Sequence, residues 1–129
     1  MKAIVETENG TFAVDLDTEE IDPAEPVDRP SQPPALSLPR VVASASVGSR
    51  IVAVVDRKPP LVVSNDAGAT WRETGAGLPA GNAVVIDDEN PDLIVYASRN
   101  RLHVSTDGGV FWRALAVELP LILAVSLED

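Results

Sequence analysis

The stretch Ser64-Asn65-Asp66-Ala67-Gly68-Ala69-Thr70-Trp71 comes back as Ser105-Thr106-Asp107-Gly108-Gly109-Val110-Phe111-Trp112, which sets Asp66 and Asp107 41 residues apart. A fixed period of this length constrains the fold more than composition does. Each unit must be one supersecondary element that buries its faces against its neighbours. A second marker follows each tryptophan at the same distance, Leu78-Pro79 and Leu119-Pro120, and Leu38-Pro39 is an earlier copy. Three units are therefore expected.

Within each unit, Val, Ile and Ala runs are bounded by Gly, Asn, Asp and Pro, and no segment holds a helical period. The second unit divides into "RVVASAS", "RIVAVVD", "LVVSN" and "WRETGAG", and the third into "NAVVIDD", "DLIVYAS", "RLHVST" and "WRALAVE". Four short antiparallel strands in about 40 residues is the pattern of a propeller blade. The expected fold class is all-β, a β-propeller of four-stranded antiparallel blades with three repeats per chain. Residues 1–40 form a degenerate repeat carrying a Pro-rich acidic insert at 22–35, and 41–80 and 81–120 form two full repeats. In the degenerate unit "TFAVDLDTEE" aligns with "PLVVSNDAGA", placing Asp15 at the serine position and Asp17 at the aspartate position. The strand leading into Leu38-Pro39 is expected as its fourth. The prolines of the insert predict an extended surface linker.

Ser64-x-Asp66-x-Gly68-x-x-Trp71 and Ser105-x-Asp107-x-Gly109-x-x-Trp112 resemble the Asp-box, or bacterial neuraminidase repeat, of sialidase-like and sortilin-like propellers. The segment "DENPDLIVYAS" is similar to the turn that links the first two strands of such blades. The resemblance implies a fold and leaves activity open, since sialidases, sorting receptors and photosystem assembly factors share the repeat. The residue chemistry of the loop is structural. Asp66 and Asp107 can accept hydrogen bonds from N–H groups of their own turn, and Ser64 and Ser105 can add a second bond. Gly68 and Gly109 permit a left-handed backbone, and Trp71 and Trp112 bury large rings between sheets. One carboxylate per loop is too few oxygen ligands for calcium, so neither metal nor cofactor is expected.

In register, the chain begins on the second strand of a blade and ends with "LILAVSLED", which aligns with the first strand "NAVVIDD". The expectation is a homodimer in which residues 121–129 of each chain complete a blade of the partner, closing a six-bladed ring with a strand-exchanged blade.

Charge narrows the partners. The chain carries 20 acidic and 10 basic residues, a formal charge of −10, with nine of the acids in residues 1–30. Nucleic acid and anionic membrane are both disfavoured by that field. There is no cysteine, the N-terminus has no signal-peptide pattern, and "LPLILAVSL" is too short to span a bilayer, so a cytoplasmic protein is expected.

Sialidases of this fold use an arginine cluster, a tyrosine nucleophile with a carboxylate partner, and an aspartic acid. The single tyrosine, Tyr96, lies mid-strand, where packing is its expected role. His103 alternates with Leu102 and Val104 and is expected at a strand surface, and Asp87-Asp88-Glu89 at a solvated turn. No catalytic residue is assigned. Arg57, Lys58, Arg99 and Arg101 fall in loops that open on the channel face of such blades, with Arg40 close by. Those five cations are the candidate anion site. The functional expectation is a non-enzymatic binding or assembly module for a protein or a small anionic ligand. The alternative is a sialidase-like glycan-processing hydrolase.

Overall fold

The computed structural model describes residues 1–25, 41–56 and 59–128. Arg40, Arg57, Lys58, the insert from residue 26 onward and the Leu38-Pro39 marker lie outside the described residues. Twelve strands are described: β1 (Lys2–Thr7), β2 (Gly10–Asp15), β3 (Ile21–Pro23), β4 (Val41–Val47), β5 (Arg50–Val55), β6 (Leu61–Ser64), β7 (Arg72–Thr74), β8 (Gly81–Ile86), β9 (Ile94–Ser98), β10 (Leu102–Ser105), β11 (Arg113–Ala114) and β12 (Ile122–Glu128). They form three antiparallel four-stranded sheets, β12-β1-β2-β3, β4-β5-β6-β7 and β8-β9-β10-β11.

The β-branched runs IVAVV and IVYAS become the second strands β5 and β9, each buried on both faces. One apolar cluster joins the second sheet to the third through Val52, Val54, Leu61 and Val63 against Val84, Ile86, Ile94 and Tyr96. Another joins the third to the first through Val95, Ala97, Leu102 and Val104 with Ala3, Val5, Val14 and Val125. The sheets therefore stack second–third–first. Their inner strands touch in the order β4, β8, β12, and β4 does not reach β12 among the described residues.

All three inner strands bulge at the same place. Val42, Asn82 and Leu123 are the extra residues, each beside the hairpin end of the neighbouring strand. A bulge sharpens the twist of the strand that carries it. Val42 and Leu123 stay exposed. Asn82 donates from Nδ2 to the Ile122 carbonyl at 2.8 Å, tying β8 to the start of β12.

Ile122–Glu128 pairs with β1 of the same chain, setting Leu127 opposite Ala3 and Val125 opposite Val5. This closes the sheet by burying Val125 and Ile122 in the cluster shared with the third sheet. Three expectations are corrected. The fourth strand of the first sheet is Ile21–Pro23, and the stretch before Leu38-Pro39, expected in that place, lies outside the described residues. Asp22 and Pro23, counted in the insert, thus belong to an edge strand, where a proline costs no ladder bond. Asp15, rather than Asp17, caps the degenerate loop: its Oδ1 accepts the N–H groups of Asp17 at 2.8 Å and Thr18 at 3.0 Å. His103, expected at a surface, is buried, because its face of β10 lies under the joint between sheets.

Gly81 shows how tightly β8 lies against β9 within the third sheet. A Cβ there would run into the Ala97 carbonyl and the Tyr96 hydroxyl. Gly81→Ala is expected to lower unfolding free energy by about 1–3 kcal/mol, an overpacking cost. Urea denaturation checks it, and an unchanged midpoint would show that β8 relaxes freely.

Candidate functional site

The two repeated loops are built alike from the sequence upward. In the first, Ser64 Oγ accepts the Gly68 N–H at 2.8 Å and donates to Asp66 Oδ1 at 2.7 Å. Asp66 accepts the Thr70 N–H at 2.9 Å and the Thr70 hydroxyl at 2.6 Å. In the second, Ser105 Oγ accepts the Gly109 N–H at 2.9 Å and donates to Asp107 at 2.7 Å. Asp107 accepts the N–H groups of Val110 at 3.1 Å and Phe111 at 3.0 Å. Gly68 and Gly109 sit at φ of 94° and 91°, a conformation that penalises a side chain. The Thr70 hydroxyl and N–H, then Ser64, hold the Asp66 carboxyl down to about 2, and Phe111 N–H and Ser105 hold Asp107 below the usual carboxylate value.

What the second loop does lies one sheet away. Arg72 Nη2 donates to the Gly108 carbonyl at 2.8 Å, and the Thr74 hydroxyl donates to the Gly109 carbonyl. Trp112 Nε1 in turn donates to Thr74 Oγ1 and to Gly109 O, both at 3.2 Å. The next joint repeats the device: Arg113 Nη2 donates to the Leu16 carbonyl at 3.1 Å, in the loop capped by Asp15. Arg50 adds a further tie, donating to the Pro91 carbonyl at 2.8 Å. Sequence reasoning missed these arginines. The signal was present, because Arg72 and Arg113 each follow the repeated tryptophan. Trp112 lies in the joint between the second and third sheets, whereas Trp71 packs with Ala53, Val55 and Val62 on the opposite face of the second sheet.

The groups that resemble catalysts in sequence are held in the core. Tyr96 is fully buried, its hydroxyl donates to the Pro79 carbonyl at 2.7 Å, and burial pushes its pKa up to about 12. The ring stands edge-on to Trp112 at 6.4 Å and lies 5.7 Å from the His103 ring. His103 Nε2 meets Ser98 Oγ at 3.1 Å, and its Nδ1 is buried without a partner. Burial first, and the Arg101 cation second, lower its pKa.

At the channel end, the β9–β10 hairpin meets the connection into β12. The N–H groups of Leu119 and Ile122 donate to the carbonyls of Asn100 and Arg99 at 2.9 and 2.7 Å. Of the five candidate cations, Arg99 and Arg101 are described here. Arg99 is exposed. Arg101 is paired with Glu118 at 3.0 Å, a residue sequence reasoning did not bring in. Among the described residues no cluster of three or more His, Asp or Glu side chains is placed to hold a metal ion.

No protein-family model matches the chain, and no curated protein matches it in sequence. Solved structures do match. The crystal structure of a GH74 enzyme from Niastella koreensis superposes with a TM-score of 0.52 at 18% identity, over 92% of this chain and 18% of that one. YCF48, solved bound to D1 peptide, superposes with a TM-score of 0.51 at 15% identity, over 84% of this chain and 37% of that one. The chain thus spans well under half the length of either. The sheet architecture and these neighbours define the class: the fold is that of a β-propeller. Among the described residues no helix is long and apolar enough to cross a membrane.

Two tests follow from the bonding. Arg72→Ala is expected to cost about 1.5–3 kcal/mol, the range for a hydrogen bond from a charged donor, and Arg72→Lys less. Equal stability of wild type and Arg72→Ala would remove the latch. The pH test has two steps. The folded pKa of His103 lies below its free value of 6.5, so the unfolded chain protonates first. Its contribution is complete above about 6.5 and is lost as pH falls. Asp66 and Asp107 lie below 3.8, so their contributions hold above that value and are lost on acidification, for Asp66 towards about 2. Urea midpoints against pH should descend in two stages, with the first absent in His103→Gln.

Proposed function

We propose that the chain is a non-enzymatic binding and assembly module of the Asp-box, or bacterial neuraminidase repeat, group of propellers. It acts in the cytoplasm and takes an anionic group, of a protein or a small ligand, at the channel face. The observation that carries this reading is where the polar groups are engaged. Tyr96, His103 and both repeat loops bond within the fold, while Arg99 is exposed at the channel end beside the bulged, exposed Leu123. Arg40, Arg57 and Lys58 belong to this reading through their sequence positions alone. The peptide-bound neighbour YCF48 supports a protein partner. The open arc of three sheets supports a two-fold homodimer completing six blades, in which residues 121–129 of each chain complete the partner's blade and so exchange the β12–β1 ladder between chains.

Calorimetric titration with citrate tests the channel face. Arg99→Glu is expected to abolish the heat of binding, and Glu118→Ala, which frees Arg101, to strengthen it. Identical isotherms for all three proteins would defeat the anion site. Light scattering is expected to give twice the chain mass of 13.6 kDa, and a single-chain mass would defeat the dimer. Turnover of fluorogenic glycosides above blank would replace the module with a glycan hydrolase.

A further inference from the structure

The joint between the second and third sheets carries a second surface, separate from the channel face. It is a groove of about 530 Å³ lined by Arg72, Thr74, Leu78, Val110, Phe111 and Trp112. Comparison of the two repeats isolates what is unusual in it. Thr70 closes the first loop with both its N–H and its hydroxyl on Asp66. Phe111 takes that position in the second loop and keeps only the N–H bond to Asp107. In place of a loop-closing hydroxyl the chain presents a ring that is 77% exposed, beside Val110 at 53%. Two consecutive large apolar side chains in water contribute nothing to the core, and a patch of this kind marks a contact surface.

The rest of the groove is rigid and open on one side. Trp112 is held by Thr74 and Gly109 through its indole N–H and by the edge of Tyr96. Arg72 is held on the Gly108 carbonyl. The wall is β7, the last strand of its sheet, which pairs with β6 and has no strand on its other edge among the described residues. A free strand edge bonds the backbone of an extended segment, and apolar ground beside it selects alternate side chains. Charge sets the sign of the partner. Arg72 in the lining is matched by Glu73, Asp107 is exposed behind the Val110–Phe111 tip, and the whole chain carries −10.

We propose that this groove binds an extended, basic peptide segment of a partner protein, added as a strand along β7 with an apolar side chain stacked on Phe111. The probe is a capped pentapeptide, Lys-Phe-Lys-Val-Lys, titrated into the full chain and followed by amide NMR shifts, with Glu-Phe-Glu-Val-Glu as its charge-reversed counterpart. The expected result is saturable binding with shifts confined to residues 72–76 and 110–112, weakened about tenfold or more for the acidic peptide. Phe111→Ala should weaken the basic peptide by a similar factor with an unchanged melting temperature, while Phe111→Tyr retains it. Absence of saturable shifts, equal binding by Phe111→Ala, or shifts centred on the channel end at Arg99 would each overturn the proposal. Because the groove and the channel face are read out at different residues, a failure here leaves the citrate test unaffected.

Discussion

The left-handed glycines of the second repeat loop place backbone carbonyls within reach of the neighbouring sheet. Gly109 can hold φ of 91° because it lacks a side chain, and Ser105 with Asp107 keeps the turn around it from opening. The Gly108 and Gly109 carbonyls then face outward to Arg72 and Thr74. Remove the turn and the second and third sheets lose the Arg72 and Thr74 bonds, keeping the Arg50 bonds to Pro91 and Asp92. The apolar cluster between them would remain, but greasy contact alone sets neither register nor angle. Arg113 makes the equivalent tie at the next joint, using a loop capped by Asp15 that has lost the glycine and tryptophan.

This constraint decides which groups remain for function. Sheets that pack on both faces bury both faces of their central strands, and the single tyrosine and single histidine fall on such strands. Tyr96 and His103 therefore became joint-filling rings, with the hydroxyl on Pro79 and the imidazole on Ser98. The residues left to meet a partner lie at the two ends of the strands. The channel end carries Arg99 and the bulge residues Val42 and Leu123, and the perimeter carries Val110 and Phe111. The anion proposed for the first end and the extended segment proposed for the second would call on surfaces of different chemistry.

Much of the fold was legible because its strongest signals are local. A serine, an aspartate and a glycine within five residues are close in space whatever the rest of the chain does, so the loop could be read directly. The strand boundaries of β4 to β6 and β8 to β10 followed from β-branched runs ended by turn residues. The candidate site was less legible. Arg101 read as a free cation until Glu118, seventeen residues away in sequence, came to lie at 3.0 Å. Asp17 aligned with the repeated aspartate, but the capping role fell to Asp15. Arg72 and Arg113 repeat visibly, yet their acceptors are on another sheet, and nothing in the local pattern names them.

The sequence by itself determined the period, the loop chemistry and the four-stranded unit, since each depends on contacts within a few residues or on strand propensity. Only the tertiary structure decided that His103 would be buried and which carbonyls the arginines would take. Those outcomes depend on groups brought together from distant parts of the chain, where the packing of one sheet on the next sets the geometry.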